Sequence, residues 1–265
     1  MPSQWQPGFA LPLPMCLIAI AWQAHPDFPL VVAANRDEWR DRPAMPAHWW
    51  EDHPELLAGR DLQAGGTWMG ITRGRRFAAV TNFRDPSDRR STALSRGSLV
   101  AEFLLGGQAP EAYLHALAGR AGAYNGFNLL VSDGASLLYF GSREGGIRPV
   151  EPGVHALSNH LLDEPWPKVR RARAALASTL GDGDELLFAM LSDATPAPDG
   201  ELPDTGVGLE RERSLSPILI TGADYGTRAS TVLRVRRDRA HFEERTRDAT
   251  GAVTHAVAFD FSLAA

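Results

Sequence analysis

Residues 15–22 have the sequence MCLIAIAW, and residues 30–37 have the sequence LVVAANRD. Both segments begin as apolar runs of the kind found in buried strands. The residues between them include Pro26 and Pro29, which favour a turn. The two segments therefore predict an opening β-hairpin, and its second strand ends in the polar sequence Asn-Arg-Asp-Glu at residues 35–38. Antiparallel pairing would bring residues 35–38 back beside Cys16.

The rest of the chain predicts many strands mixed with a few helices. Further strands are expected at residues 65–72, 76–82, 126–132, 136–140, 154–158, 217–221, 230–236, 240–247 and 252–261. Helices are expected at residues 97–105 with Ser95 as N-cap, at 110–117, at 167–180, and up to Leu191 with Asp182 or Asp184 as N-cap. Residues 193–215 are rich in Pro, Asp, Gly and Glu and predict a long loop. Strands and helices come in blocks, which favours an α+β layered architecture over a doubly wound parallel sheet.

Composition excludes several classes of protein. The 265 residues are 44% hydrophobic and 22% charged, which is ordinary for a globular protein. The formal net charge of −5 argues against nucleic acid as a partner, because there is no basic excess to neutralise phosphates. No apolar run approaches the roughly 18–20 residues of a transmembrane segment. We therefore expect a cytoplasmic protein with no transmembrane segment.

Residues 1–14 precede the predicted hairpin and have the sequence MPSQWQPGFALPLP. They lack the basic start of a signal peptide, and prolines interrupt their apolar part. We interpret them as a disordered extension, a pro-segment or a misplaced start. Residues 15–265 would then form a single domain, because no change in composition marks a second one.

Cys16 is the only cysteine of the chain and directly follows Met15. If Met15 were the start and were removed, Cys16 would carry both a thiol and a free α-amine. Their ordinary pKa values, about 8.5 and about 7.7–8.0, are close, so the amine could take the proton of the thiol. The alternative interpretation is that Cys16 is a small buried hydrophobic residue of the first strand.

Two charged residues of the Asn-Arg-Asp-Glu sequence could act on Cys16. The Arg36 guanidinium would lower the pKa of the thiol, and Asp37 would hold the ammonium form of the α-amine. The alternative is an ordinary polar turn, whose ion pairs contribute little.

Three more residues are candidates for the same site. Asn82 and Asn159 each follow a strand that we expect to be buried, where an amide can donate to a developing oxyanion. Arg228 precedes the strand at residues 230–236 and would complete a positively charged cleft. The alternative interpretations are two turn asparagines and a surface arginine.

The sequence Gly65-Gly66-Thr67-Trp68 is not a phosphate-binding loop, because it lacks the lysine and the spacing of a P-loop. We expect its glycines to allow a tight turn and Trp68 to line a pocket or the core. The eight histidines are scattered along the chain, so no metal site is expected.

Seven segments, in this order, resemble the NRDE family, named for its Asn-Arg-Asp-Glu motif and also called the transport and Golgi organisation protein 2 family. They are Met15–Ile18, Ala33–Glu38, Gly65–Gly70, Ala79–Asn82, Tyr124–Leu129, Leu157–Asn159 with Pro165–Lys168, and Tyr225–Arg228. The resemblance covers about residues 15 to 261. Members of this family usually begin at the Met-Cys pair, whereas this chain has 14 residues before it.

The resemblance implies the four-layer αββα sandwich of the N-terminal nucleophile hydrolases. It implies Cys16 as nucleophile, Arg36 and Asp37 as its assistants, Asn82 and Asn159 as oxyanion donors, and Arg228 as a second arginine of the site. The protein would then be an N-terminal cysteine hydrolase or acyltransferase. It would act on an amide or thioester of a small-molecule or acyl substrate and need no cofactor.

The same resemblance implies an alternative function, because the family is linked with haem trafficking. The protein would then be a non-catalytic carrier that holds haem or another hydrophobic ligand between apolar walls such as Trp68 and Phe83. The sequence has no CxxCH motif for haem attachment, so any haem contact would be loose. Neither the substrate nor the oligomeric state is indicated by the sequence.

Overall fold

The structure is a computed structural model that describes residues 16–87, 90 and 92–264. In chain order the strands are β1 (Cys16–Trp22), β2 (Leu30–Trp39), β3 (Ala44–Trp49), β4 (Leu56–Asp61), β5 (Met69–Thr72), β6 (Phe77–Asn82), β7 (Phe127–Ser132), β8 (Leu137–Gly141), β9 (Ile147–Pro149), β10 (Gly153–Leu157), β11 (Tyr225–Val235), β12 (Arg239–Arg247) and β13 (Val253–Ser262). The helices are α1 (Gly97–Leu105), α2 (Pro110–Ala118), α3 (Pro167–Thr179), α4 (Asp184–Leu191) and α5 (Leu209–Leu215). The predicted extension at residues 1–14, together with Met15, lies outside the described residues.

The strands form two antiparallel sheets. Sheet A has the order β10-β1-β2-β11-β12-β13, and sheet B has the order β3-β4-β5-β6-β7-β8-β9. Sheet B follows chain order, because each of its strands pairs with the next one. In sheet A the opening hairpin is completed by strands from much later in the chain, so β1 and β2 lie between β10 and β11.

Alternation along the strands divides the core into three apolar layers. The layer between the sheets includes Ile18, Val32, Phe77 and Leu130. The layer between sheet A and the helices α3 and α4 includes Leu17, Ala33, Val169 and Leu187. The layer between sheet B and the helices α1 and α2 includes Ala78, Leu129, Val100 and Leu114. The predicted four-layer αββα sandwich is therefore confirmed.

Most predicted elements are present, with a few differences. The strands β3, β4 and β9 were not predicted. The segment predicted as a strand at residues 217–221 is not one, and α5 lies inside the predicted long loop at residues 193–215. Neither predicted side-chain cap is formed: α1 has Arg96 at its N-cap and α4 has Gly183. In the described part of the chain, no helix is both long and apolar enough to cross a membrane.

The Asn35 side chain connects sheet A to the end of α4 and to the loop that contains Ile218. Its fully buried amide donates from Nδ2 to the carbonyl oxygens of Leu191 and Ile218, both at 2.9 Å. Its Oδ1 accepts a hydrogen bond of 2.7 Å from the Ser230 hydroxyl on β11. The first residue of the Asn-Arg-Asp-Glu motif therefore has a structural role, which is to fix the loops that enclose the end of β2.

We predict that Asn35→Ala lowers the free energy of unfolding by about 2–4 kcal/mol, because two buried carbonyl groups lose their donor. Denaturant unfolding followed by tryptophan fluorescence measures this change. The exposed side chain of Gln108 provides the control, and Gln108→Ala should change the stability by less than about 0.5 kcal/mol. Equal stabilities for the two variants would contradict the anchoring role of Asn35.

Candidate functional site

Cys16 lies at the first position of β1, opposite Arg36 of β2 in the antiparallel register. The predicted proximity of Cys16 to the Asn-Arg-Asp-Glu segment is therefore confirmed. Both residues line a cavity of about 460 Å³ that opens at the ends of the two sheets. Asp37, Asn82 and Arg228 line the same cavity. The structure thus brings together five of the six residues that the sequence singled out.

The Cys16 thiol is protonated at neutral pH in this arrangement. Burial, and then the negative charge of Asp37, raise its pKa to about 12. The backbone N–H of Asp37 donates a hydrogen bond to the sulfur, and this bond and the Arg36 guanidinium lower the pKa of the thiol. The expected effect of Arg36 is present, but burial outweighs it. The thiol is a weak nucleophile until a base removes its proton.

Asp37 is a buried carboxyl group with an incomplete set of hydrogen bonds. Its Oδ1 accepts a hydrogen bond of 2.6 Å from the Thr227 hydroxyl, whereas Oδ2 has no hydrogen-bond partner among the described residues. Burial raises the pKa of the carboxyl group to about 7, although the Lys168 ammonium, the Thr227 hydrogen bond and Arg36 act in the opposite direction. An unpartnered oxygen in a buried carboxylate is costly.

The two arginines of the site are held in different ways. Arg36 forms an ion pair of 3.3 Å with Glu38, which lies on the same face of β2. Arg228 sits in a β-bulge of β11, where the pairing with β2 shifts between Thr227 and Ala229. It donates hydrogen bonds to the carbonyl oxygens of Trp39 and Arg42. The bulge turns an extra side chain towards the cavity, so Arg228 joins Arg36 and the four other arginines that line it, Arg42, Arg60, Arg90 and Arg96.

The two asparagines have different environments. Asn82 ends β6 and lines the cavity near Cys16, in agreement with its predicted place in the site. Asn159 is fully buried and does not line the cavity. Its Nδ2 donates to the backbone carbonyl of Asn82 at 3.0 Å, and its Oδ1 accepts a hydrogen bond from the Ser158 hydroxyl. Asn159 therefore holds the end of β6, and its role as an oxyanion donor stays a prediction.

The walls of the cavity agree only in part with the expectation. Trp68 lines the cavity, as predicted, whereas Phe83 is not among the lining residues and packs instead against His160 at a ring distance of 4.9 Å. A Cβ on Gly66 would lie 2.5 Å from the carbonyl group of Gly97, so only glycine allows this close approach of two backbones. The close approach of Gly66 to Gly97 thus places Trp68 beside the start of α1.

Sequence analysis did not single out Lys168, which does not line the cavity but whose charge acts on Asp37 and Cys16. Lys168 is 2% exposed and donates from Nζ to the carbonyl oxygen of Leu215 at 3.0 Å. A buried ion pair of Arg84 with Glu212 lies close to it. The signal in the sequence was the Pro165–Lys168 segment, where a lysine follows the proline that begins a helix with one buried face.

Another carboxyl group missed in the sequence is Glu244 of β12, which also lines the cavity. Its Oε1 accepts a hydrogen bond of 2.8 Å from the backbone N–H of Ala47 on β3. Burial raises the pKa of this carboxyl group. Glu244 therefore connects sheet A to sheet B across the cavity. Among the described residues, Glu244 forms no ion pair.

One group of described residues, Asp184, His241 and Glu243, has potential metal-ligand atoms within 4.8 Å of one another. Both carboxylates of this group already form ion pairs, Asp184 with Arg234 and Glu243 with Arg245. The group lies outside the cavity. It is a network of ion pairs across sheet A and α4, and the two arginines oppose the binding of a further cation.

Residues 15–249 match the family described as Transport and Golgi organisation 2. A Bos taurus protein, Transport and Golgi organization protein 2 homolog, is 36% identical to the chain over 258 residues, which cover 88% of this chain and 93% of that protein. The Homo sapiens protein of the same description is 32% identical over 258 residues, with the same two shares.

Two solved structures superpose on the chain. One is a mutant conjugated bile acid hydrolase from Clostridium perfringens, with a TM-score of 0.48, 9% identity and 92% of each chain covered. The other is an N-acylethanolamine-hydrolyzing acid amidase ortholog from Caenorhabditis elegans, with a TM-score of 0.39, 10% identity, and 82% of this chain and 92% of that chain covered. Neither superposition assigns a role to any residue of this chain.

The electrostatics of the thiol generate a prediction. At about pH 9 the Asp37 carboxyl group is ionised, because its pKa of about 7 lies below that pH. Its negative charge disfavours the thiolate, so Asp37→Asn should speed alkylation of Cys16 by iodoacetamide about tenfold, and Arg36→Gln should slow it. Because Cys16 is the only cysteine, the mass of the whole protein reports this reaction alone.

Asp61→Asn is the matched control, because it removes a carboxylate from the cavity rim, where Asp61 pairs with Arg42. It should leave the alkylation rate within about twofold of the unchanged protein. If Asp37→Asn alkylates no faster than Asp61→Asn, the charge of Asp37 does not act on the thiol.

Proposed function

The chain belongs to the Transport and Golgi organisation 2 family, and we propose that it is an N-terminal cysteine hydrolase or acyltransferase that acts on an amide or thioester bond. The observation that carries this proposal is the Oδ2 of Asp37, which has no hydrogen-bond partner among the described residues and belongs to the residue after Arg36, the register partner of Cys16. A free α-ammonium group on Cys16 would supply a charged donor at the edge of the site where this carboxylate lies. The proposal therefore requires that Cys16 become the first residue of the chain.

The chemistry would proceed in two halves. The α-amine of Cys16 takes the thiol proton, and the sulfur attacks the carbonyl carbon of the substrate to form a C–S bond. An amide N–H of Asn82 stabilises the oxyanion. The tetrahedral intermediate collapses, the bond to the leaving group breaks, and the ammonium returns its proton to the departing amine or thiol.

The second half releases the acyl group. Water, or another acceptor, attacks the thioester and gives its proton to the α-amine, and cleavage of the C–S bond restores the thiol. Arg36 and Arg228 bring two positive charges to the cavity. They would favour the negative charge that develops on the attacking sulfur and on the carbonyl oxygen.

We predict that a simple thioester probe leaves an acyl adduct on the protein, detected by intact mass, and that Cys16→Ala abolishes it. Asn82→Ala should slow adduct formation by about 10²–10³ without preventing it, because one oxyanion donor is lost. Asn125→Ala is the matched control, since Asn125 lines the same cavity but bonds to Arg90. N-terminal sequencing of the protein used shows whether Cys16 is its first residue. An adduct that persists in Cys16→Ala would exclude Cys16 as the nucleophile.

A second candidate function is supported by the raised pKa of the thiol. While a peptide bond precedes Cys16, the α-amine is not a base, and a thiol with a pKa of about 12 does not react readily. The cavity would then hold a ligand without turning it over. The two arginines could pair with carboxylates of a ligand such as haem, and Trp68 would contact its apolar face.

For this carrier function we predict a Soret absorbance change when the protein is mixed with haem at micromolar concentration. Blocking Cys16 with iodoacetamide should leave it unchanged, because a protonated thiol is a poor iron ligand. Trp68→Ala should weaken binding about tenfold, through the loss of aromatic contact. An unchanged haem spectrum at micromolar protein would contradict the carrier function.

A further inference from the structure

Lys168 has an unusual place for a lysine. It follows Pro167, the first residue of α3, and its neighbour Val169 packs in the apolar layer between α3 and β1. The side chain is buried, and its hydrogen bond goes to the carbonyl oxygen of Leu215 at the C-terminal end of α5. The ammonium group therefore lies between the helices and sheet A, close to the end where β1 begins.

This position is unfavourable for an isolated cation. Lysine is almost never fully buried unless it is paired, because desolvation of the ammonium costs several kcal/mol. The first turn of a helix also carries positive partial charge, which repels a cation. Burial accordingly lowers the pKa of Lys168 to about 8. One hydrogen bond to a carbonyl group uses one of three ammonium protons, so a buried anion is required nearby.

Two carboxylates are candidates for this anion. Glu212 is already committed, because it pairs with Arg84 and also accepts hydrogen bonds from the backbone and hydroxyl of Thr205. Asp37 has an oxygen, Oδ2, for which the described part of the chain supplies no hydrogen-bond partner. Of the negative charges near Lys168, Asp37 does most to favour the charged lysine, and Lys168 in turn does most to favour the charged Asp37.

Alternation along β2 supports this pairing. Val31 and Ala33 face the apolar layer beneath α3 and α4, whereas Val32 and Ala34 face the layer between the sheets. By the same alternation, Asp37 lies on the face of sheet A that packs against the helices. Lys168 approaches from that side on α3.

The remaining charged groups around the two residues do not replace this pair. The charges facing Asp37 are Arg36 and Glu38 on its own strand, Arg40 just after that strand, Cys16 on β1 and Lys168 on α3. Arg40 donates hydrogen bonds to the carbonyl oxygens of Gly222, Thr227 and Arg247. The charges facing Lys168 are Asp37, Arg84, Cys16 and Glu212. Arg36 and Glu38 pair with each other, as do Arg84 and Glu212. The Lys168 ammonium and the Asp37 carboxylate therefore interact as two buried charges of opposite sign, without a direct ion pair among the described residues.

We propose that Lys168 is a positioning residue whose buried ammonium keeps Asp37 ionised, so that this carboxylate can hold the α-ammonium of a freed Cys16. The last clause rests on the proposed hydrolase or acyltransferase function; the pairing of Lys168 with Asp37 does not. Two cations would then share one carboxylate.

The test is the titration of Asp37 itself in the full-length chain. Its carboxyl carbon is followed by 13C NMR and assigned by the loss of its signal in Asp37→Asn. Lys168→Met, which removes the charge but keeps an unbranched side chain, should raise the titration midpoint of Asp37 by about one pH unit or more. Lys168→Arg keeps a cation and should restore the midpoint to within about half a unit.

If the only role of Lys168 is its hydrogen bond to the Leu215 carbonyl, Lys168→Met should lower the stability of the fold. It should then leave the titration midpoint of Asp37 unchanged. That outcome would overturn the proposal. If Lys168→Met does not fold, the reciprocal measurement replaces it, because coupling between two sites is mutual. Asp37→Asn should lower the titration midpoint of the Lys168 ammonium, and an unchanged midpoint would overturn the proposal equally.

This experiment separates the inference from the proposed function, because it requires neither a substrate nor a free α-amine. If Lys168→Met shifts the titration midpoint of Asp37 but no acyl adduct forms, the result supports the interaction of Lys168 with Asp37. The same result contradicts the hydrolase or acyltransferase function. An adduct with an uncoupled titration would support the enzyme and exclude this role of Lys168.

Discussion

The buried carboxyl group of Asp37 is the constraint around which the site is arranged. Burial alone would leave this group protonated, and only neighbouring donors and cations can keep it charged. The Thr227 hydroxyl supplies one hydrogen bond, and Lys168 supplies the opposing charge from α3. Thr227 and Lys168 are both tied to the segment that joins α5 to β11, through Ile220 and Leu215 respectively. The charge state of one carboxyl group thus depends on both sheet A and its helices.

Because successive side chains of a strand point to opposite faces, the residues of the site lie on the two faces of sheet A. Cys16 and Arg36 have the parity of the layer between the sheets, where the cavity opens, and the bulge adds Arg228 to the same cavity. Asp37 has the opposite parity and meets the helices. The backbone nitrogen of Cys16 lies at the end of β1, where these two sides meet. The charge of Asp37 already acts on the thiol through space, and a free α-amine at this end of the strand would add a second link between the two sides.

The sequence predicted the elements whose pattern is local and missed those that depend on distant partners. The hairpin of β1 and β2 was predictable because both strands are apolar and joined by a short turn. The strand β3 contains Pro46 and pairs irregularly with β4, so it lacks a strand-like pattern. Lys168 belongs to the Pro165–Lys168 segment, but the groups that surround it are far away in the chain, so its burial and its charged neighbours could not be predicted from that segment. Asn159 was predicted as a buried strand end, but its bond to Asn82 depends on contact between the sheets.

The two candidate functions correspond to two states of one peptide bond. With that bond intact, burial keeps the Cys16 thiol protonated, and the cavity offers arginine charges and Trp68 to a ligand but no base. With the bond absent, as the proposed function requires, the α-ammonium would offer a donor to the Oδ2 of Asp37, and the thiol would gain a base beside it. The same exclusion of water that makes the thiol inert in the first state strengthens each electrostatic interaction in the second. The proposed interaction of Lys168 with Asp37 would therefore be more useful to a catalyst than to a carrier, because a carrier gains nothing from a carboxylate held charged on the helix side of its cavity.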